Sequence, residues 1–285
     1  MRSRILMVLI SCTIGLPLLS VAQTALRKEA ETLQCRIDTL APGQRVAARA
    51  RADAACAIDV KRLAQLMAKA ETVIVDVRAA SPQQRSRIPN AISLQPSDVR
   101  LQPGLRKTPL VLVGDGKDDA SLIEQCLFLK GNGFADVSVL QGGVVSWAGA
   151  GRPLIADGIT PSDLQRLSQA ELLKAALTGD KLILVAPGAK GFSTLLSNTT
   201  PLTSDAPDQI AAATHKTPPG RKFDAAIVVT SHQLSDDALK QASASARAPL
   251  FAFAGDARAF EGFLRGQLAI WQRAEGGERI RCPGL

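Results

Sequence analysis

Pro109-Leu110-Val111-Leu112-Val113-Gly114-Asp115-Gly116-Lys117-Asp118-Asp119-Ala120-Ser121 joins an apolar run of strand length, a glycine-punctuated acidic turn and a helix start. A short unbroken apolar run bounded by turn residues reads as a strand buried on both faces, which places it in a parallel sheet. Asp118 and Asp119 stand where an N-cap and a first-turn acid belong, so the helix begins near Ala120-Ser121. A bend between a strand end and a helix N-terminus collects backbone N–H groups and the positive end of a helix dipole. Anions settle in such places, and thiols there lose their protons readily. This bend contains no cysteine.

The flanks carry further landmarks. Upstream, Thr72-Val73-Ile74-Val75-Asp76-Val77-Arg78 is a second buried strand ending in Asp-x-Arg, followed by Ser86-Arg87-Ile88-Pro89-Asn90-Ala91-Ile92. Downstream, the stretch from Gly133 to Gly143 reads as a strand running into a Gly142-Gly143 turn, with Trp147 in the next helix. In this order the three segments resemble a rhodanese-like domain over residues 57–155. Arg87 stands in the place of the family's histidine, and Asn90 in that of a glycine. The resemblance implies a central parallel sheet with helices on both faces, and a persulfide-bearing cysteine in the loop. The matching position here is Gly114 or Asp115, and neither can carry sulfane sulfur.

The rest of the loop argues the same way. Asp115, Asp118 and Asp119 put carboxylates where thiosulfate or phosphate would sit, and like charges repel. Lys117 offsets one of them. Cys126 lies about two helical turns into the following helix, away from the bend. The vestigial site is therefore Gly114, Asp115, Gly116, Lys117, Asp118, Asp119, Ala120 and Ser121, with no catalytic residue assigned. Asp76, Arg78, Arg87, Gly142, Gly143 and Trp147 are read as its structural frame, Asp76 and Arg78 as an ion pair at a strand end. The loop together with Arg87 is the expected docking face.

At 285 residues the chain has room for about two domains. After a linker over residues 149–159, the second half repeats the pattern in degraded form. Lys181-Val185 matches the first strand, Ala225-Thr230 matches Leu110-Val113, and Pro249 to Asp256 with Phe260 beyond matches the last strand before Gly142-Gly143 and Trp147. The fold class is α/β: a rhodanese-like domain over 57–155 and a degenerate second copy over 156–285, each with a mostly parallel sheet. Gln209 to Phe223 reads as a mobile basic loop. Ser231-His232, with Asp236 and Asp237 following, lacks the Gly-x-Ser-x-Gly elbow of a serine hydrolase.

Residues 1–22 read as a secretory signal: Arg2 and Arg4, an apolar run from Ile5 to Leu19, and Ser20-Val21-Ala22 as a cleavage site. Periplasmic location follows. An uncleaved membrane anchor and a lipoprotein box ending at Cys12 are the alternatives. Residues 23–56 read as a helical extension. Cleavage leaves Cys35, Cys56, Cys126 and Cys282, an even set with three possible pairings in an oxidising compartment. Cys35 and Cys56 are the bridge candidates, and Cys126 falls in an apolar helix pattern.

The net charge of +8 is spread along the chain without a basic block, which argues against nucleic acid as a partner. Neither a metal nor a cofactor is implied, and no membrane insertion is expected after cleavage. The function that follows is an exported, catalytically inactive module that binds an envelope protein. The alternative is a sulfurtransferase or persulfide carrier using Cys126 or Cys282.

Overall fold

The computed structural model describes residues 56–69, 72–79, 85–216 and 223–274. The signal, the helical extension, Cys35 and Cys282 lie outside the described residues.

The first sheet is built from β1 (Ala57–Ile58), β2 (Val73–Asp76), β4 (Ile92–Ser93), β5 (Leu110–Val113) and β6 (Val137–Leu140). Its strand order is β1-β6-β5-β2-β4, and every pairing is parallel. All four residues of β5 are buried, as its unbroken apolar run requires. Alternate side chains feed two cores. Val75, Leu110 and Leu112 pack with Cys126 and Leu129 of α3 (Asp119–Gly131). Ile74, Val111 and Val113 pack with Leu63 of α1 (Val60–Met67) and Trp147 of α4 (Gly143–Gly149). A short helix, α2 (Pro96–Val99), lies between β4 and β5. The pair β3 (Ser86–Arg87) and β7 (Ile155–Ala156) is antiparallel and stands apart from the sheet.

The second sheet holds β8 (Lys181–Val185), β9 (Thr199–Pro201), β10 (Ala225–Thr230) and β11 (Leu250–Ala254), in the order β11-β10-β8-β9 and again parallel. The helices of this half are α5 (Pro161–Gln165), α6 (Gln169–Thr178), α7 (Pro207–His215), α8 (Asp236–Ser245) and α9 (Ala257–Ala274). One face packs Ile183, Ile227 and Phe251 against Leu172, Phe192 and Phe260. The other packs Leu184, Val228 and Leu250 against Ile210 and Leu239. Among the described residues no helix is long and apolar enough to cross a membrane.

Two local expectations are corrected. The segment read as a basic loop from Gln209 is helical through His215: Pro207 opens α7 in its first turn, and Ile210, Ala211 and Thr214 are buried. Turn-rich composition hid an amphipathic helix of about two and a half turns, whose apolar face is buried against the second sheet. The second correction concerns Cys56, whose sulfur is bonded to Cys126 and not to Cys35. The residue leading into β1 lies against α3 because β1 pairs with β6, at an edge of the sheet beside that helix.

Candidate functional site

The acidic loop leaves the C-terminal end of β5, and its shape is set by glycines. Gly116, Gly142 and Gly143 all have positive φ (85°, 67° and 50°), and the loop rests directly on the Gly142-Gly143 turn. A Cβ on Gly143 would lie 2.3 Å from Gly114 O, and one on Gly116 would lie 2.2 Å from Gly142 O. The Val144 N–H donates to Gly114 O at 3.0 Å and fixes the contact.

The amides of this region are taken by the chain's own carboxylates. Asp115 Oδ1 accepts from Lys117 N–H at 2.8 Å. Asp118, the N-cap of α3, accepts from Ser121 N–H at 3.4 Å. Asp119 Oδ2 accepts from Gly142 N–H at 2.6 Å, across to the neighbouring turn. Donors suited to a bound anion thus already hold three carboxyl groups of the chain.

Next to the loop lies a cleft of about 630 Å³ lined by Arg78, Arg85, Asp115, Lys117, Arg166 and Glu171, among others. Three of its cations, Arg78, Lys117 and Arg166, are matched by acids of the chain. Arg78 grips Asp76 through Nε (2.9 Å) and Nη2 (2.6 Å) and also donates to Ser86 O, at the strand end where sequence placed a structural pair. Lys117 Nζ donates to Glu171 Oε1 (2.7 Å) and Arg166 O (3.3 Å) of the second half. Arg166 meets Asp236 at 2.5 Å. Burial opposes ionisation of Glu171, yet bonds from Lys117 and Ser168 prevail and hold its carboxyl below the ordinary range. At Asp163, the backbone and hydroxyl of Thr160 do the same.

Two residues of the expected docking face are engaged by the second half, while Arg87 and Ser121 are exposed. Lys117 and Asp118 are both engaged by α6, the latter through Lys174 at 2.6 Å. Arg87 is exposed on β3 and is absent from the cleft lining, where Arg85 stands instead. Sequence reasoning missed Arg85, Arg166 and Glu171, and the spacing Ser168-x-x-Glu171, a capping box in the structure, is the one signal that could have pointed to the last. Ala120 and Asp119 are buried in the first turn of α3. Trp147 is a core residue, its indole N–H donating to Pro153 O at 2.8 Å. Cys126 is fully buried and disulfide-bonded, so it presents no thiol to the loop. In the second half, exposed His232 faces Asp205 at 3.5 Å.

Residues 59–150 match the family model of the rhodanese-like domain. This stretch is a rhodanese-like domain. Solved structures similar to the chain include a rhodanese-related protein from Thermoplasma volcanium, at 21% identity over 36% of this chain and 99% of that one, TM-score 0.31. A thiosulfate sulfurtransferase from Pseudomonas aeruginosa shares 21% identity over 73% of this chain and 42% of its own, TM-score 0.32. The rhodanese-like domain of the Alr3790 protein from Anabaena sp. shares 24% identity over 37% of this chain and 80% of its own, TM-score 0.31. No curated protein matches the chain.

Proposed function

We propose that this protein is an exported, catalytically silent rhodanese-like module that acts by binding a protein partner in the cell envelope. One observation carries the reading: the loop that would hold a persulfide has no thiol, and the carboxylates of Asp115, Asp118 and Asp119 occupy its amides. A thiosulfate dianion entering there would meet the charges of Asp115 and Asp118 beside a cleft in which Arg78, Lys117 and Arg166 already have acids beside them. A second, degenerate rhodanese-like copy over residues 156–285 is supported by sheet order: β6-β5-β2-β4 has the same chain-order pattern as β11-β10-β8-β9. Export is supported by the apolar leader and by the buried Cys56–Cys126 bridge, since disulfides persist in oxidising compartments. With the loop committed to α6, partner recognition falls to other surfaces.

The test is thiosulfate:cyanide transfer by the purified protein. Thiocyanate should form no faster than without protein. Turnover that Cys126→Ser or Cys282→Ser abolishes would instead establish a persulfide carrier. For the binding half, affinity capture from envelope extracts should recover one protein in near-stoichiometric yield, and recovery of none contradicts it.

A further inference from the structure

Another cleft, of about 740 Å³, opens where the two halves meet. Val145, Ala148 and Gly149 of α4 line it from the first half, and α5, α8 and the start of β11 line it from the second. The helix α4 packs against both α5 and α8, so the cleft is built into the junction. Small side chains leave the space: Ala148, Gly149, Ala244, Ala246 and Ala248 present at most one methyl group each. A volume of this size suits a drug-sized molecule, and such sites favour junctions between domains.

Two polar side chains of α5 are held inside it. Ser162 and Gln165 are 6% and 7% exposed, and at a spacing of three residues they share one helix face. The chain itself orients the Gln165 amide, whose Nε2 donates to Leu250 O at 2.8 Å and to Ser243 Oγ at 2.7 Å. Both amide protons are thereby spent, and what Gln165 has left for the cleft is Oε1, an acceptor. The Ser162 hydroxyl makes no hydrogen bond among the described residues, whereas the Thr160 hydroxyl is tied to Asp163 at 2.8 Å. Buried polar groups are normally paired. An acceptor and a hydroxyl donor on one face complement the N–H and C=O of an amide.

No charge is buried with them. Asp236, Asp237, Lys240 and Arg247 are the charged residues of the lining; all four are exposed, and two acids offset two bases. Asp236 is in addition held by Arg166 at 2.5 Å. An ionic ligand would give up its hydration inside without gaining a buried counter-ion. We propose that this cleft is a binding site for a neutral, largely apolar small molecule carrying a secondary amide. Gln165 Oε1 accepts its N–H, the Ser162 hydroxyl donates to its carbonyl, and its apolar body lies against the small side chains of α4 and α8.

N-methylbenzamide, titrated into the whole protein and followed by amide nuclear magnetic resonance shifts, tests the assignment. A probe of this size should bind with a dissociation constant on the order of 5 mM, with shifts centred on Val145 to Gly149 and Ser243 to Leu250. Methyl benzoate has the same shape with an ester oxygen in place of the N–H. It should bind about tenfold more weakly, because Gln165 Oε1 then stays unpaired. Ser162→Ala breaks no hydrogen bond within the described protein and should weaken N-methylbenzamide about fivefold. Ala244→Phe should fill the cleft and abolish the shifts. An absence of shifts with N-methylbenzamide, equal affinity for the ester, or a response that survives Ala244→Phe overturns the proposal. So does an envelope protein captured by wild type and lost from Ala244→Phe, which would make the occupant a protein segment.

Discussion

Gly143 shows how much of the site depends on single residues. Its φ is positive, and an added methyl would lie 2.3 Å from one loop carbonyl and 2.5 Å from the Gly116 nitrogen, both backbone atoms. Gly143→Ala should therefore cost about 2 kcal/mol or more in urea unfolding, from strain and displaced loop together. Arg78→Ala removes the guanidinium from a buried ion pair with Asp76, whose carboxylate keeps the backbone N–H of residue 78; the expected loss is about 3 kcal/mol by the same measurement. Asp119 acts on the pH profile. Its folded-state pKa is raised, from 3.8 to about 7, so its contribution is fully present below the unfolded value and is lost as pH rises through the folded one. The Asp119 contribution should fall by on the order of 4 kcal/mol between pH 4 and 7, read as the change over that range in the stability difference between wild type and Asp119→Asn in urea unfolding.

Single residues set the loop, but elements fix where it points. The helix α3 begins at the site and carries Cys126 at its centre, so the Cys56–Cys126 bridge ties edge strand β1 to the element that supports the loop. The closed loop spans 70 residues, for which chain entropy gives about 4 kcal/mol. Replacing both cysteines with alanine should lower the urea midpoint accordingly, and a thiol reductant should affect wild type only under conditions that open the buried core. The element β5 was legible in the sequence because four consecutive buried apolar residues allow little else. The helix α7 was not, since Pro207, Gln209 and His215 are turn-compatible and its burial depends on Ile210 finding the second sheet.

At the scale of the whole molecule, the acidic loop is an internal surface. Lys117, Asp118 and the Gly142 turn each meet the second half, which converts a site that would face solvent in an isolated domain into part of a junction. Lys117→Ala should lose about 1 kcal/mol of stability, because the ion pair is partly exposed and its Arg166 carbonyl contact goes with it. It should not produce sulfur transfer, which a thiocyanate assay would check.

The order of motifs from Asp76 to Trp147 determined the rhodanese-like fold and the missing thiol, because period, turn chemistry and residue identity are local properties. Which cysteine bonds Cys56, which arginine lines the cleft and what covers the loop were decided by tertiary structure. Those depend on pairs far apart in the chain, such as Lys117 with Glu171, and the positions of such pairs are set only when two sheets have packed their helices against each other.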